Sequence, residues 1–355
     1  MDLRAQFPVL ERIAYLNAGT DGPLPRAAVE QAREELAAEA EDGRVWPHFE
    51  RRMQLMDDLR AGYASLLNCA PDDVAITSGT SAGLGAVLAG LDLGPGDEIV
   101  TSDAEHPGLV GPLIAARERG ATVRAVPIHE LANAVRATTT LVAASHVSWI
   151  TGELAPAELA DAPVPVILDG AQGAGAVPVD VQALGCAAYA AAGQKWLCGA
   201  DGTGLLYVAP DFGEQVRTVA PGYHAFEDTS KGLASPLRAV TKRFDGALPR
   251  EGVALSLAAL DLLVAAGLDE VHERAAALAG EFARALADAG YTVAPRDRTT
   301  LVAFEVPDPA ELRGRLAEGG VAVRNLPGYP YLRVSVGAWN DESDLERLLS
   351  ALAAG

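Results

Sequence analysis

From about residue 50 to residue 210 the chain alternates short apolar runs with longer stretches of helical spacing, and this alternation narrows its possible folds more than any other feature. The runs fall at 73–77, 98–102, 122–128, 140–146, 164–169, 187–192 and 204–208, and segments such as 81–91 and 107–120 read as helices between them. Strands separated by helices imply a mostly parallel sheet covered on both faces, an α/β architecture. Such sheets receive ligands at the carboxyl ends of their strands. A motif directly after one of these runs therefore stands on the active face.

Beyond residue 250 the pattern changes. Helices at 253–268 and 271–289 lead to strands at 291–294, 300–306, 321–325 and 331–336, and an amphipathic helix at 342–353 closes the chain. This reads as a smaller α+β domain. A length of 355 residues suits two domains. The expected division is a large domain at 17–249, a small one at 250–355, and a segment at 1–16 packing with the small domain. Residues 211–249 read as a long irregular connection of the kind that is often functional or interfacial.

A net charge of −20 argues against nucleic acid as a partner. No apolar run reaches the roughly 18 residues of a membrane span. The opening MDLRAQFPVLERIAYLN lacks the basic-then-apolar profile of a secretory signal. Cys69, Cys186 and Cys198 form neither a disulfide framework nor a zinc spacing. The expectation is a cytoplasmic protein with no membrane partner.

Of 28 basic residues only Lys195, Lys231 and Lys242 are lysines. A lysine amine can lose its proton and attack a carbonyl, which an arginine cannot do. Lys231 and Lys242 lie in a polar stretch and read as surface residues. Lys195 directly follows an apolar strand in AAYAAAGQKWLCG, where Trp and Gly neighbours fit a surface helix poorly. An amine in an apolar pocket becomes a usable nucleophile.

Three further constellations accompany it. TSGTSAG (Thr77 to Gly83) follows a strand and opens a helix, offering unpaired N–H groups to an anion, although a plain capped turn reads the same way. It lacks the Gly-Lys-Ser/Thr ending of a nucleoside-triphosphate loop. VPVILDG ends its strand in Asp169, which suits a cationic ring nitrogen or a helix cap. YLRVSV carries Arg333 mid-strand, suited to a carboxylate or to a buried ion pair. Taken together, an anion cradle, an acid, an amine and a carboxylate-binding arginine match the needs of pyridoxal phosphate acting on an amino acid.

With these residues assembled, the chain resembles the class V aminotransferase family of fold-type I pyridoxal-phosphate enzymes. That group includes cysteine desulfurases, selenocysteine lyases, cystine C–S lyases and isopenicillin epimerases. The resemblance runs from YLNAGTDGPLP to LRVSVGAWNDESDLERLL, and DGAQ followed by Lys195 is its most specific part. SWITGELAP and GQKWLCGADGTGLLYV are most similar to the C–S lyase branch. The resemblance implies a seven-stranded sheet and a homodimer with active sites near the interface. It makes Lys195 the Schiff-base residue and proton shuttle, with Asp169 on the pyridine nitrogen, His106 on the ring face and Gln172 on the ring hydroxyl. Gly79, Thr80 and Ser81 would hold the phosphate, Gln194 would join the cofactor site, and Arg333 would clamp the substrate carboxylate near Asn17 and Trp149.

Departures from the family pattern sharpen this reading. The loop RNLPGYPYLR lacks the cysteine that desulfurases use to accept sulfur, and Cys198 reads as a packed apolar residue. Ala192, Gln194 and Ala247 stand where relatives carry phosphate-gripping side chains. The implied activity is β-elimination from a cysteine-derived amino acid. Transamination or epimerisation by the same lysine is the alternative, and a non-catalytic binding module is the reading from outside enzymology.

Overall fold

The computed structural model describes residues 2–354. A short strand β1 (Ala14–Tyr15) precedes two long helices, Arg26–Asp42 and Trp46–Leu67. The central sheet then forms from β2 (Val74–Thr77), β3 (Glu98–Ser102), β4 (Thr122–Val126), β5 (Thr139–Ser145), β6 (Val166–Asp169), β7 (Ala188–Ala192) and β8 (Gly204–Val208). Its order is β2-β8-β7-β6-β5-β3-β4, with only β8 antiparallel to its neighbours. The chain steps outward from β3 to β4 and then returns across β3 to β5, so the topology switches between β3 and β5.

Alternate residues of these strands feed two separate cores, as a period of two demands. Val74, Ile76, Val100 and Val142 face one apolar cluster with Leu59 and Tyr63 of the Trp46–Leu67 helix. Ala75, Ile99, Leu141 and Ile167 face another with Leu84 and Val87 of the helix Thr80–Gly90. A sheet buried on both faces accounts for the near-continuous apolar strands.

The C-terminal region holds β9 (Leu301–Glu305), β10 (Val321–Ala322), β11 (Arg324–Asn325) and β12 (Tyr331–Ser335). β11, β12 and β9 form an antiparallel sheet, while β10 pairs with β1. Phe304, Val302 and Val334 pack there against Phe282, Leu316 and Leu348 from three helices. Among the described residues no single helix is long and apolar enough to cross a membrane.

Several sequence expectations are corrected. Residues 291–294 form no strand; only Val293 bridges Phe304, and Pro295 follows with no amide to extend the ladder. The run 321–325 splits at Val323 between two sheets. The helices Arg26–Asp42 and Trp46–Leu67 were not read from the sequence. Helix Arg250–Ala266 packs against both and places Val253 and Leu260 in the large core.

Candidate active site

Three strand ends converge on one cavity of about 420 Å³, lined by Ser78, Gly79, Thr80, Ser81, His106, Asp169, Gln194 and Lys195 among others. β2 delivers the Gly79 turn, β6 ends in Asp169, and β7 runs into Gly193-Gln194-Lys195. This is the carboxyl edge of the sheet, where strand dipoles and free loop backbone leave room for a ligand.

Gly79 has φ +142, ψ 178, and nothing lies within 4 Å of where its Cβ would stand. It caps the helix Thr80–Gly90 without a side-chain hydrogen bond, so the first amides of that helix face open space. The Thr80 hydroxyl and the Gln194 side-chain carbonyl are buried without partners. These are orphaned polar atoms around an electropositive helix end.

Asp169 is 4% exposed, and its carboxylate accepts a hydrogen bond from the Ala171 amide at 2.9 Å. Burial pushes its carboxyl upward, opposed by the nearby Lys195 charge. Lys195 is brought down to about 8, chiefly by burial and further by Arg333, against the opposing pull of Asp169. Its amine therefore sheds its proton readily near neutrality. Lys231 and Lys242 instead pair with Asp228 and Asp57 at the surface.

His106 caps the helix Pro107–Glu118, its Nδ1 accepting the Gly108 amide at 3.1 Å. Burial and the charges of Lys195, Arg333 and Arg324 bring it down to about 4, so the ring is neutral with its proton on Nε2. Trp149 stands edge-on to it with centroids 5.1 Å apart and donates its indole N–H to the Ala104 carbonyl. Tyr329 is edge-on to Trp149 in turn.

Arg333 is 2% exposed and pairs with no carboxylate among the described residues, which removes the buried ion pair left open by the sequence. It donates to the Trp149 carbonyl and weakly to the Thr20 hydroxyl, while its Nε has no partner. Burial and Arg324, its cross-strand neighbour, bring it down to about 9. Like charges opposed on a strand pair are unfavourable, so an anion bound at Arg333 would relieve them.

Gln172 lies outside the cavity lining. Its Nε2 donates to the Gly19 carbonyl at 2.7 Å and its Oε1 accepts from the Trp196 indole at 2.9 Å, so it fastens the 17–22 loop. Asn17 also lies outside the lining, with a buried, unpartnered Oδ1, and bridges Ser335 through its backbone. The sequence reading missed Thr20 on Arg333 and Asp21, whose charge bears on Lys195. Their signal was present: YLNAGTDGPLP has two glycines where close approach is needed. A Cβ at Gly22 would stand 2.0 Å from the Lys195 carbonyl oxygen, and one at Gly19 2.9 Å from the Arg333 guanidinium.

No cysteine lines the cavity. Cys186 and Cys198 are buried, and Cys69 packs beside the large core.

Known proteins share the family and the fold of this chain. The family model for class V aminotransferases matches residues 14–348. A probable cysteine desulfurase of Pseudomonas aeruginosa is 30% identical over 390 residues, covering 98% of this chain and 96% of that protein. The isopenicillin N epimerase of Streptomyces clavuligerus is 29% identical, covering 96% of this chain and 94% of its own. Among solved structures, a cystine C–S lyase in complex with its reaction product cysteine persulfide superposes with a TM-score of 0.93 at 30% identity, covering 98% of this chain and 99% of that one. A variant of the same lyase, with glycine covalently linked to the pyridoxal phosphate cofactor, gives the same TM-score and identity, covering 99% of this chain and 98% of that one.

Proposed function

This chain belongs to the class V aminotransferase family, and on that premise we propose that it uses pyridoxal phosphate to break the Cβ–S bond of a cysteine-derived amino acid. The products are pyruvate, ammonia and the sulfur fragment as a thiol or persulfide. The observation that carries this reading is one cavity that holds a lysine of lowered proton affinity and a buried acid, beside an anion cradle and an arginine that lacks a carboxylate.

The cofactor fits these residues. The open backbone at Gly79, with Thr80 and Ser81, would receive the phosphate, the unpartnered Thr80 hydroxyl adding a donor. Asp169 would hold the ring nitrogen and its proton, and the neutral His106 ring would cover a face. Bound there, pyridoxal phosphate supplies an aldehyde for an amine and an electron-poor ring that stabilises negative charge at the substrate Cα.

Arg333 binds the substrate carboxylate, which supplies the anion its buried guanidinium lacks. That contact orients Cα toward Lys195, whose lowered proton affinity lets the amine take the Cα proton and return it elsewhere. The Cβ–S bond then breaks with its electron pair leaving on sulfur, and water supplies the oxygen of pyruvate. Elimination rather than persulfide transfer to the enzyme is supported by the 324–333 loop, which carries no cysteine, and by the burial of Cys198.

Incubating the loaded enzyme with cystine and with cysteine S-conjugates is the test. Pyruvate formation is the expected result, and its absence across the panel overturns the proposal. Epimerisation by the same lysine is the second reading, supported by the Streptomyces clavuligerus relative; it gives inverted amino acid and no pyruvate. The enzyme is proposed to act in the cytoplasm as a homodimer. The dimer is supported by the exposed Trp46 and Tyr223, which meet through Phe49 in an apolar grouping of the kind that marks interfaces.

A further inference from the structure

The sheet parts where its topology switches. β3 and β5 are paired only as far as Val100 and Val142; beyond them Thr101 and Ser102 pair with β4 alone, and Ala143 to Ser145 with β6 alone. Such a split at the carboxyl edge is the usual ligand crevice of an open α/β sheet. Here it contains a side chain of the protein itself. Glu105 is 9% exposed, and its carboxylate accepts from the Ser102 hydroxyl at 2.6 Å, the Ser145 amide at 2.9 Å and the Ser145 hydroxyl at 2.5 Å. Ser102 ends β3 and Ser145 ends β5, so one carboxylate joins both lips of the split.

The next residue is His106, and Ala104 on the other side accepts the Trp149 indole N–H. The His106 ring and the Trp149 indole, edge-on to one another, thus both meet the loop that Glu105 pins. Burying a carboxylate is costly, and burial pushes this one upward even with three donors. An apolar residue would fill the split at less cost but would form no bond to either lip.

We infer that Glu105 is a positioning residue, a wedge in the β3–β5 split that seats the imidazole of His106 against the cofactor. This rests on the pyridoxal-phosphate reading. Glutamine keeps the wedge, because its side-chain carbonyl can still take the Ser145 amide and the Ser102 hydroxyl while its NH2 donates to the Ser145 hydroxyl. Alanine removes it.

The test uses the full chain in Glu105→Gln, Glu105→Ala and Ser145→Ala forms. Ring 15N NMR reads the His106 tautomer in the cofactor-free protein, and visible circular dichroism reads the asymmetry around bound pyridoxal phosphate. Glu105→Gln is expected to keep the Nε2–H tautomer and the dichroism band within twofold of the parent. Glu105→Ala is expected to mix the tautomers and lower the band at least threefold. Should Glu105→Ala fail to fold, Ser145→Ala reports instead and is expected to shift both readouts in the same direction by less. Unchanged tautomer and band in Glu105→Ala, or in Ser145→Ala where alanine at 105 does not fold, overturn the inference, as does a glutamine variant that behaves like alanine. Failure of the cofactor reading is a separate event: the parent then shows no visible band, while the tautomer still tests the wedge.

Discussion

Two of the buried arginines, Arg60 and Arg333, differ in what the chain gives them to bind. Arg60 is 3% exposed and Arg333 2%. Arg60 reaches both carboxylate oxygens of Asp245, at 3.0 and 2.7 Å, and the Val74 carbonyl at 2.6 Å. Asp245 also accepts from the Ile76 amide, so this pair pins the end of the long 211–249 connection to the edge strand β2. Arg333 has a carbonyl, a distant hydroxyl and no acid. Breaking a buried pair that the chain itself supplies is costly to the fold, whereas a buried cation with no acid of the chain's own leaves its charge open to a ligand's carboxylate.

This contrast can be broken in four ways. The largest effect falls at Arg60→Ala, which strands the Asp245 carboxylate and lowers stability by about 3–5 kcal/mol. Chemical denaturation reads that loss, while kcat/KM of the surviving folded fraction stays within a few-fold. Arg333→Ala does the reverse. Removing one partner of a buried charge pair costs about 2–5 kcal/mol of binding, so kcat/KM falls roughly 30- to 5,000-fold, with a smaller loss of unfolding free energy than Arg60→Ala. A smaller effect is expected at Gly19→Ala, whose Cβ would press to 2.8 Å from the Ser335 hydroxyl and 2.9 Å from the Arg333 guanidinium. Displacing that guanidinium raises KM about tenfold, a modest part of what losing the charge costs. The smallest concerns pH. Cofactor capture by the free amine of Lys195 speeds up as pH rises and levels off above about 8. Arg333 is one of the charges that hold this amine down, so Arg333→Ala moves the levelling point upward by a fraction of a pH unit and Arg60→Ala leaves it in place.

The same contrast explains what the sequence could reveal. Asp169 ends an apolar run and Gly79 and Lys195 come just after one, so local pattern alone put them on the ligand edge, and the three meet in one cavity. Arg333 was legible as a mid-strand cation, but its lack of an acid is a property of the folded surroundings. The Arg60–Asp245 pair joins residues 185 positions apart and has no local signature. Gln172 was legible as a motif residue, yet its bonds to Gly19 and Trp196 depend on how the N-terminal loop folds back. The helices Arg26–Asp42 and Trp46–Leu67 escaped notice because their polar and charged residues are spread around much of each surface, which weakens the apolar periodicity. Residues 291–294 misled because four apolar-leaning residues before a proline look like a strand without a partner in view.

The most direct test is to supply the purified chain with pyridoxal phosphate, reduce it with borohydride and map the label by peptide mass spectrometry. The chain offers only three lysines, so the answer is discrete. One pyridoxyl group fixed at Lys195 is the predicted result. An unlabelled Lys195, or label confined to Lys231 and Lys242, would contradict the account.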